Sequence, residues 1–332
     1  MTDPGLSGRP ELRAQLSAAL NSGKLSHAVM LTGPSGSGKT SWGRLLAQAV
    51  LCPERKGIDP CLLCASCLAF ASGNHAGFFY LEPEKKKLKT EQFRAVRQLF
   101  YLGDNKKACL IDQAEAMTAE TSSSLLKILE EPPANLTFIL LAEQPRAVFD
   151  TILSRCQRYV LQPLAYEEVY DLLLKSGKAE DEKAELLSRL SGGLPGFAFK
   201  LAEDPGFDER FKEAKALAYN VATGHNSAAQ LLTWAASLAE REDLIALLEL
   251  VALFYRDGLM HSLCLRGDRY NGFEKPFVWT DRITALSLEG AILLINEAIY
   301  EVTATNVNRR LTVEKLLLLL QRRLSHDHSC RN

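Results

Sequence analysis

The sequence predicts an α/β nucleotide-binding core, a parallel sheet covered by helices on both faces, followed by a chain that is helical to its end. Three observations carry this. Short apolar runs alternate with helical patterns through the first half, which implies parallel strands joined by crossover helices. A glycine-rich stretch, "GPSGSGKT" (33–40), lies between one such run and a helical pattern. Beyond about Pro163 the strand signals fade. A length of 332 residues exceeds one ordinary core and suggests two or three domains. The hydrophobic share of 47% excludes a disordered chain.

The expected strands are "AVMLTG" (28–33), "FFYLEP" (78–83), "ACLID" (108–112), "TFILLAE" (137–143) and, as a fifth, "YVLQPL" (159–164). After Lys39, the residues Trp42, Leu45, Leu46, Ala49 and Val50 recur at helical spacing. "TAETSSSLLKILEEPP" opens on Thr118 as an N-cap and stops where Pro132 and Pro133 forbid continuation. "AYEEVYDLLLKSG" and "DEKAELLSRLSGG" read as two short helices with glycine stops, and 227–263 and 285–324 as long amphipathic runs.

The bulk properties exclude some functions. The amino terminus lacks the apolar segment of a secretory signal. The runs "LIALLELVALF" and "LLLLL" fall short of the ~20 residues a bilayer requires. A cytoplasmic protein with no membrane role is the expectation. A net charge of −1 gives no global basic field, so contact with nucleic acid has to be local or shared with partners. The charge run "EKKKLK" (84–89) reads as a solvated face, with contact to nucleic acid as the alternative.

The stretch 33–40 fits G-x-x-x-x-G-K-[ST] in its confirming strand-to-helix context. Gly33, Gly36 and Gly38 let backbone N–H groups close around phosphates, Lys39 reaches the β- and γ-phosphates, and Thr40 offers its hydroxyl to Mg²⁺. Asp112, at the end of "ACLID", supplies a second magnesium contact. The next residue is Gln113, which cannot take a proton. ATP with Mg²⁺ is therefore the expected ligand, while fast hydrolysis is not; own ATPase activity is expected weak or absent. Glu115 is a nearby carboxylate whose place the sequence does not give.

Cys52, Cys61, Cys64 and Cys67 form C-x8-C-x2-C-x2-C, four thiolates suited to a closed, structural Zn²⁺ site; an iron–sulfur cluster and free thiols are the alternatives. Cys109, Cys156, Cys264 and Cys330 lack such spacing and read as ordinary thiols, and His75 as a structural or loop histidine.

"KLSHAVMLTGPSGSGKT", the four-cysteine insert, "SSLLKILEEPPANLTFILLAE", "TILSRCQRYVLQPL" and, more loosely, "GGLPGFA", "FYRDGL" and "TNVNRRLTVEKLLL" resemble the clamp-loader subunits of bacterial DNA polymerase III. The resemblance implies an AAA+ core over 1–163 with a zinc module at 52–67, a helical lid over 164–206 and a helical collar over 207–332 that holds subunits in a ring of five. It implies motor (gamma/tau-type) and delta subunits as partners, with a sliding clamp and primed DNA engaged by the complex. Three departures from the motor pattern favour the delta-prime branch. Gln113 stands where motors carry glutamate, Glu143 and Gln144 where they carry a γ-phosphate-sensing threonine pair, and Pro195 where their lid carries arginine. "S-R-C" is kept as Ser154, Arg155 and Cys156, which implies that Arg155 acts in trans on a neighbour's nucleotide. The rival readings are the motor itself and an ATP-independent zinc scaffold. A P-loop kinase or transferase would leave "LLKILEEPP" unexplained.

Overall fold

The computed structural model describes residues 8–84, 87–224, 226–263, 283–304 and 307–325. Its elements in chain order are α1 (Pro10–Asn21), β1 (Ala28–Thr32), α2 (Lys39–Leu51), α3 (Ala65–Ala71), β2 (Phe78–Leu81), α4 (Thr90–Arg97), β3 (Lys107–Ile111), α5 (Ala119–Glu130), β4 (Leu136–Ala142), α6 (Asp150–Leu153) and β5 (Gln157–Val160). They are followed by α7 (Tyr166–Ser176), α8 (Asp181–Leu190), α9 (Pro195–Glu203), α10 (Phe207–Ala222), α11 (Ala228–Ala239), α12 (Leu244–Ser262), α13 (Ala285–Ala304) and α14 (Arg309–Ser325).

The five strands form one parallel sheet in the order β2-β3-β4-β1-β5, so the P-loop strand β1 lies between β4 and β5. Every residue of β1 and β3 is buried, which explains why these strands read as unbroken apolar runs. Their side chains still divide by parity. Val29, Leu31, Ala108, Leu110, Ile139 and Leu141 pack with Trp42, Leu46 and Val50 of α2. Met30, Cys109, Ile111, Phe138 and Leu140 pack with Phe93, Leu125, Ile128 and Ile152 on the other face. Phe100 stands edge-on to Phe79, Phe93 and Phe138 in that second layer.

The helix caps are those expected. Thr118 caps α5 by accepting the N–H of Thr121 at 3.2 Å, and α7 ends on Gly177 with φ 66°. The fifth strand begins two residues earlier than its apolar run, at Gln157, because register with Val29–Thr32 decides where it pairs. Helix α1, which the sequence reading did not single out, buries Leu12, Leu16 and Leu20 on one stripe.

The chain divides into two compact units. One comprises the chain up to Gly177 with Ser191–Phe199, and the other Lys178–Leu190 with the chain from Lys200 on. The stretch 164–206 is shared between them. In the second unit, α12 packs on α10 and α13, and α14 on α10, α11 and α13. Buried Val313, Leu316, Leu317, Leu320 and Leu324 give α14 its apolar stripe. The run 227–263 is two helices, not one. The chain breaks at Glu240–Asp243, where Arg241 donates to Asp243 and to Glu213, and Arg210 also donates to Asp243. The run 285–324 is likewise two helices, α13 and α14.

Candidate functional site

The phosphate loop leaves β1 at Gly33, whose N–H donates to Ala142 O at 3.2 Å, and enters α2 at Lys39. Gly36 and Gly38 have φ of 75° and 89°, a left-handed backbone that favours glycine. Gly36 is also held from above: the N–H of Gly196, at the start of α9, donates to its carbonyl at 2.8 Å. A Cβ on Gly196 would stand 3.0 Å from that carbonyl, so glycine lets the two backbones approach.

The sequence-predicted residues come together. Thr40 Oγ1 donates to Asp112 Oδ2 at 3.4 Å, although 72 positions separate them in the chain. Hydroxyl and carboxylate are hard oxygen donors of the kind Mg²⁺ takes, so the pair fits that ion. Lys39 is buried, and its ammonium donates to Gly33 O at 2.8 Å, Pro34 O at 3.0 Å and Glu143 Oε1 at 3.5 Å.

Three features were not legible in the sequence. Tyr80, on β2, donates its hydroxyl to Asp112 Oδ2 at 3.0 Å. Burial first, and then the Asp112 carboxylate, push the Tyr80 phenol well above its ordinary range, so it remains a donor. Glu115 is tied to the end of β4: its Oε1 accepts the backbone N–H of Glu143 at 2.9 Å, and its Oε2 is buried away from solvent. Glu143 itself, the residue after β4, reaches the P-loop lysine. Their signal was only positional: each lies at or just past the carboxyl end of a strand, where ligands of open parallel sheets bind. Gln113 is exposed, with φ 48°.

The second site lies at the far end of α2. Cys52 is the C-cap of α2 and Cys64 the N-cap of α3. The four sulfurs of Cys52, Cys61, Cys64 and Cys67 lie within 4.8 Å of one another. The separations Cys52–Cys61, 3.5 Å, and Cys52–Cys64 and Cys61–Cys67, both 3.9 Å, match sulfurs bound at ~2.3 Å to one tetrahedral ion. Each sulfur but the last accepts an N–H from the next cysteine along. Cys61 donates to Cys52, Cys64 to Cys61 and Cys67 to Cys64, each at 3.4 Å. Amide donors, led by Leu63 and then Cys64, bring Cys61 down to about 7, whereas burial pushes Cys67 up to about 12. The set can hold a metal ion.

His75 is structural. Its Nδ1 accepts the N–H of Gly77 at 3.0 Å, so Nε2 carries the proton and donates to Ser66 Oγ at 2.9 Å. Ser66 in turn donates to Leu51 O at 3.0 Å, beside Cys52. Of the remaining cysteines, Cys109 is buried and Cys156 half-buried, both as free thiols, while Cys264 and Cys330 lie outside the described residues.

Arg155 follows α6 and precedes β5, as expected. Its guanidinium donates to Glu130 Oε1 at 2.9 Å and to Thr151 O at 3.0 Å, with side-chain exposures of 37% and 49% for the ion pair. Among the described residues no helix is long and apolar enough to cross a membrane.

Residues 8–165 match the family described as DNA polymerase III, delta subunit. The chain is similar to DNA polymerase III subunit delta' of Bacillus subtilis (strain 168), 30% identical over 94% of this chain and 96% of that one. It is also similar to subunit delta' of Escherichia coli (strain K12), 29% identical over 69% of this chain and 73% of that one. Subunit gamma/tau of Mycobacterium bovis is 31% identical, but over 57% of this chain and 34% of that protein.

Proposed function

The chain belongs to the delta-prime subunits of the bacterial DNA polymerase III clamp loader, and from that premise we propose that it binds nucleotide without driving the loader itself. One observation carries this reading: Lys39, Thr40 and Asp112 are assembled, yet Gln113 has no carboxylate, and that of Glu115 is held to the Glu143 N–H through one oxygen and buried at the other. ATP with Mg²⁺ would sit on the loop between Gly33 and Thr40, with Thr40 and Asp112 toward the ion and Lys39 toward the phosphates. The ion would neutralise phosphate charge. The residues of the chain orient the phosphates through the loop's N–H groups and the amino end of α2.

In this reading 1–163 is the AAA+ core, 164–206 its lid and 207–332 the collar that joins it to gamma/tau-type and delta subunits in a five-membered ring. The ring then opens a sliding clamp on primed DNA. The cysteine site holds structural Zn²⁺: four thiolates close the coordination sphere and leave no position for substrate.

Arg155 serves a neighbour. In the free chain it rests on Glu130, a half-exposed ion pair with a net worth of roughly 0–1 kcal/mol, so little free energy opposes its transfer to another partner. A guanidinium forks onto γ-phosphate oxygens, and donated arginines supply about 10³–10⁵ in phosphoryl transfer. The test is steady-state ATPase and clamp loading by the reconstituted ring with clamp and primed DNA. Arg155→Ala should lower both in part, since one interface loses its arginine, and leave this chain's metal and nucleotide binding intact. Unchanged ATPase and loading would remove the trans role. No detectable binding of either ATP or ADP to the natural chain at millimolar concentration would remove the binding reading.

A further inference from the structure

Lys39 is the cation of the phosphate loop, and it already has a carboxylate. Its ammonium has three N–H groups, directed to Gly33 O, Pro34 O and Glu143 Oε1 at 2.8, 3.0 and 3.5 Å. The first two acceptors are neutral carbonyls of the loop, which a β-phosphate can replace. The third is a carboxylate and brings a negative charge to the ammonium.

Glu143 is not a surface side chain that happens to lean inward. β4 pairs with β1 so that Ala142 stands beside Thr32, the last residue before the loop. Gly33 N–H then donates to Ala142 O at 3.2 Å, tying the first residue of the loop to the residue just before Glu143. The N–H of Glu143 is held by Glu115 Oε1 at 2.9 Å. Strand register and Glu115 together fix the backbone at this point, while a side chain 41% exposed keeps the freedom to meet Lys39 or turn away.

A P-loop lysine bridges the β- and γ-phosphates. A nucleoside diphosphate leaves the γ position vacant, and Glu143 can stay where it is, completing the lysine's contacts. A nucleoside triphosphate puts its terminal phosphate beside this carboxylate, in competition for the same N–H and with like charge. We propose that Glu143 stands in for the γ-phosphate at Lys39, so that the site selects nucleoside diphosphate over triphosphate. This rests on the nucleotide-binding reading above and adds to it the class of nucleotide that the resting subunit holds.

The experiment is equilibrium binding of ADP and of ATP, each with Mg²⁺, to the full-length natural chain and to Glu143→Gln, by calorimetry. Glutamine keeps the size of the side chain and removes its charge. The natural chain should bind ADP at least about tenfold more tightly than ATP, a difference of ~1.4 kcal/mol. Glu143→Gln should shrink that ratio by about tenfold, mainly through tighter ATP. ATP bound as tightly as ADP by the natural chain, or a ratio unchanged in Glu143→Gln, overturns the proposal and leaves nucleotide binding standing. Binding of neither nucleotide overturns both. Should Glu143→Gln fail to fold, judged by circular dichroism, Glu143→Thr is measured in its place, and the ratio in the natural chain decides independently.

Discussion

The two ends of α2 carry two kinds of site. At Cys52 the ligands come from sixteen consecutive residues, 52–67, and two C-x2-C turns fix three of the four sulfurs locally. At Lys39 the participants come from four strand ends, residues 33–40, 80, 112 and 143, and only the sheet brings them together. The cysteine site is complete in itself. The phosphate site depends on which side chain the fold places opposite its lysine. A locally built site announces its chemistry in spacing, whereas a site built by strand register keeps its selectivity in residues that no motif contains.

The largest effect should come from breaking the local site. Cys64→Ser removes one of four ligands and an N–H···S acceptor at 3.4 Å. Metal affinity should fall by more than the 10–100-fold typical of losing an outer partner. Elemental analysis should fall from one zinc per natural chain to none. Amide exchange should quicken over 52–71 while β1 and β4 stay protected, since their strand pairing is independent of the cysteines. Iron, or no metal in a folded natural chain, would contradict the assignment.

Lys39→Ala comes next, and it sharpens the contrast by striking the dispersed site at its one cation. Charge-assisted hydrogen bonds contribute roughly 1.5–3 kcal/mol each, so nucleotide affinity should weaken at least about 100-fold with zinc content unchanged. Titration with a fluorescent nucleotide, alongside elemental analysis, checks both halves of the statement.

His75→Ala tests whether the cysteine site is as local as its spacing suggests. The His75–Ser66–Leu51 relay is outer support, so zinc should remain bound but about tenfold more weakly against a chromophoric chelator. Burial holds His75 below its usual pKa, so the relay keeps its neutral form at neutral pH.

The smallest change is expected from Gln113→Glu, which restores the acid that motor subunits carry. Gln113 is exposed with φ 48°, and Glu143 still engages Lys39, so steady-state turnover by the isolated chain should rise less than about tenfold, short of the 10²–10⁴ that a well-placed base provides. A motor-like rate would show that the missing carboxylate alone separates the two kinds of subunit.

What could be read from the sequence follows the same division. The loop, the cysteines, the strand cores and the caps at Thr118 and Gly177 were legible, because each is a short-range pattern with a local cause. Tyr80, Glu115 and Glu143 were visible as residues but not as contacts. Pairing across β1, β3 and β4 decides that Thr32 stands beside Ala142, and no window of the chain contains that fact. The break at Glu240–Asp243 was missed for a related reason. It has no glycine or proline, and the turn is held by Arg210 and Arg241 on Asp243, the first of them 33 positions away.

Helix α2 has 13 residues and spans about 20 Å, with the phosphate loop at its first residue and Cys52 of the four-cysteine cluster as its C-cap. Helices ordinarily fray from their ends, where carbonyls lack partners. Here the carboxyl end is riveted: Cys52 N–H donates to Gln48 O at 2.9 Å, and its sulfur belongs to a closed cluster. A rod pinned at one end transmits a push at the other instead of absorbing it by unwinding. A metal held by the four cysteines would therefore pin the far end of the helix that carries Lys39 and Thr40, and would steady a site it does not touch.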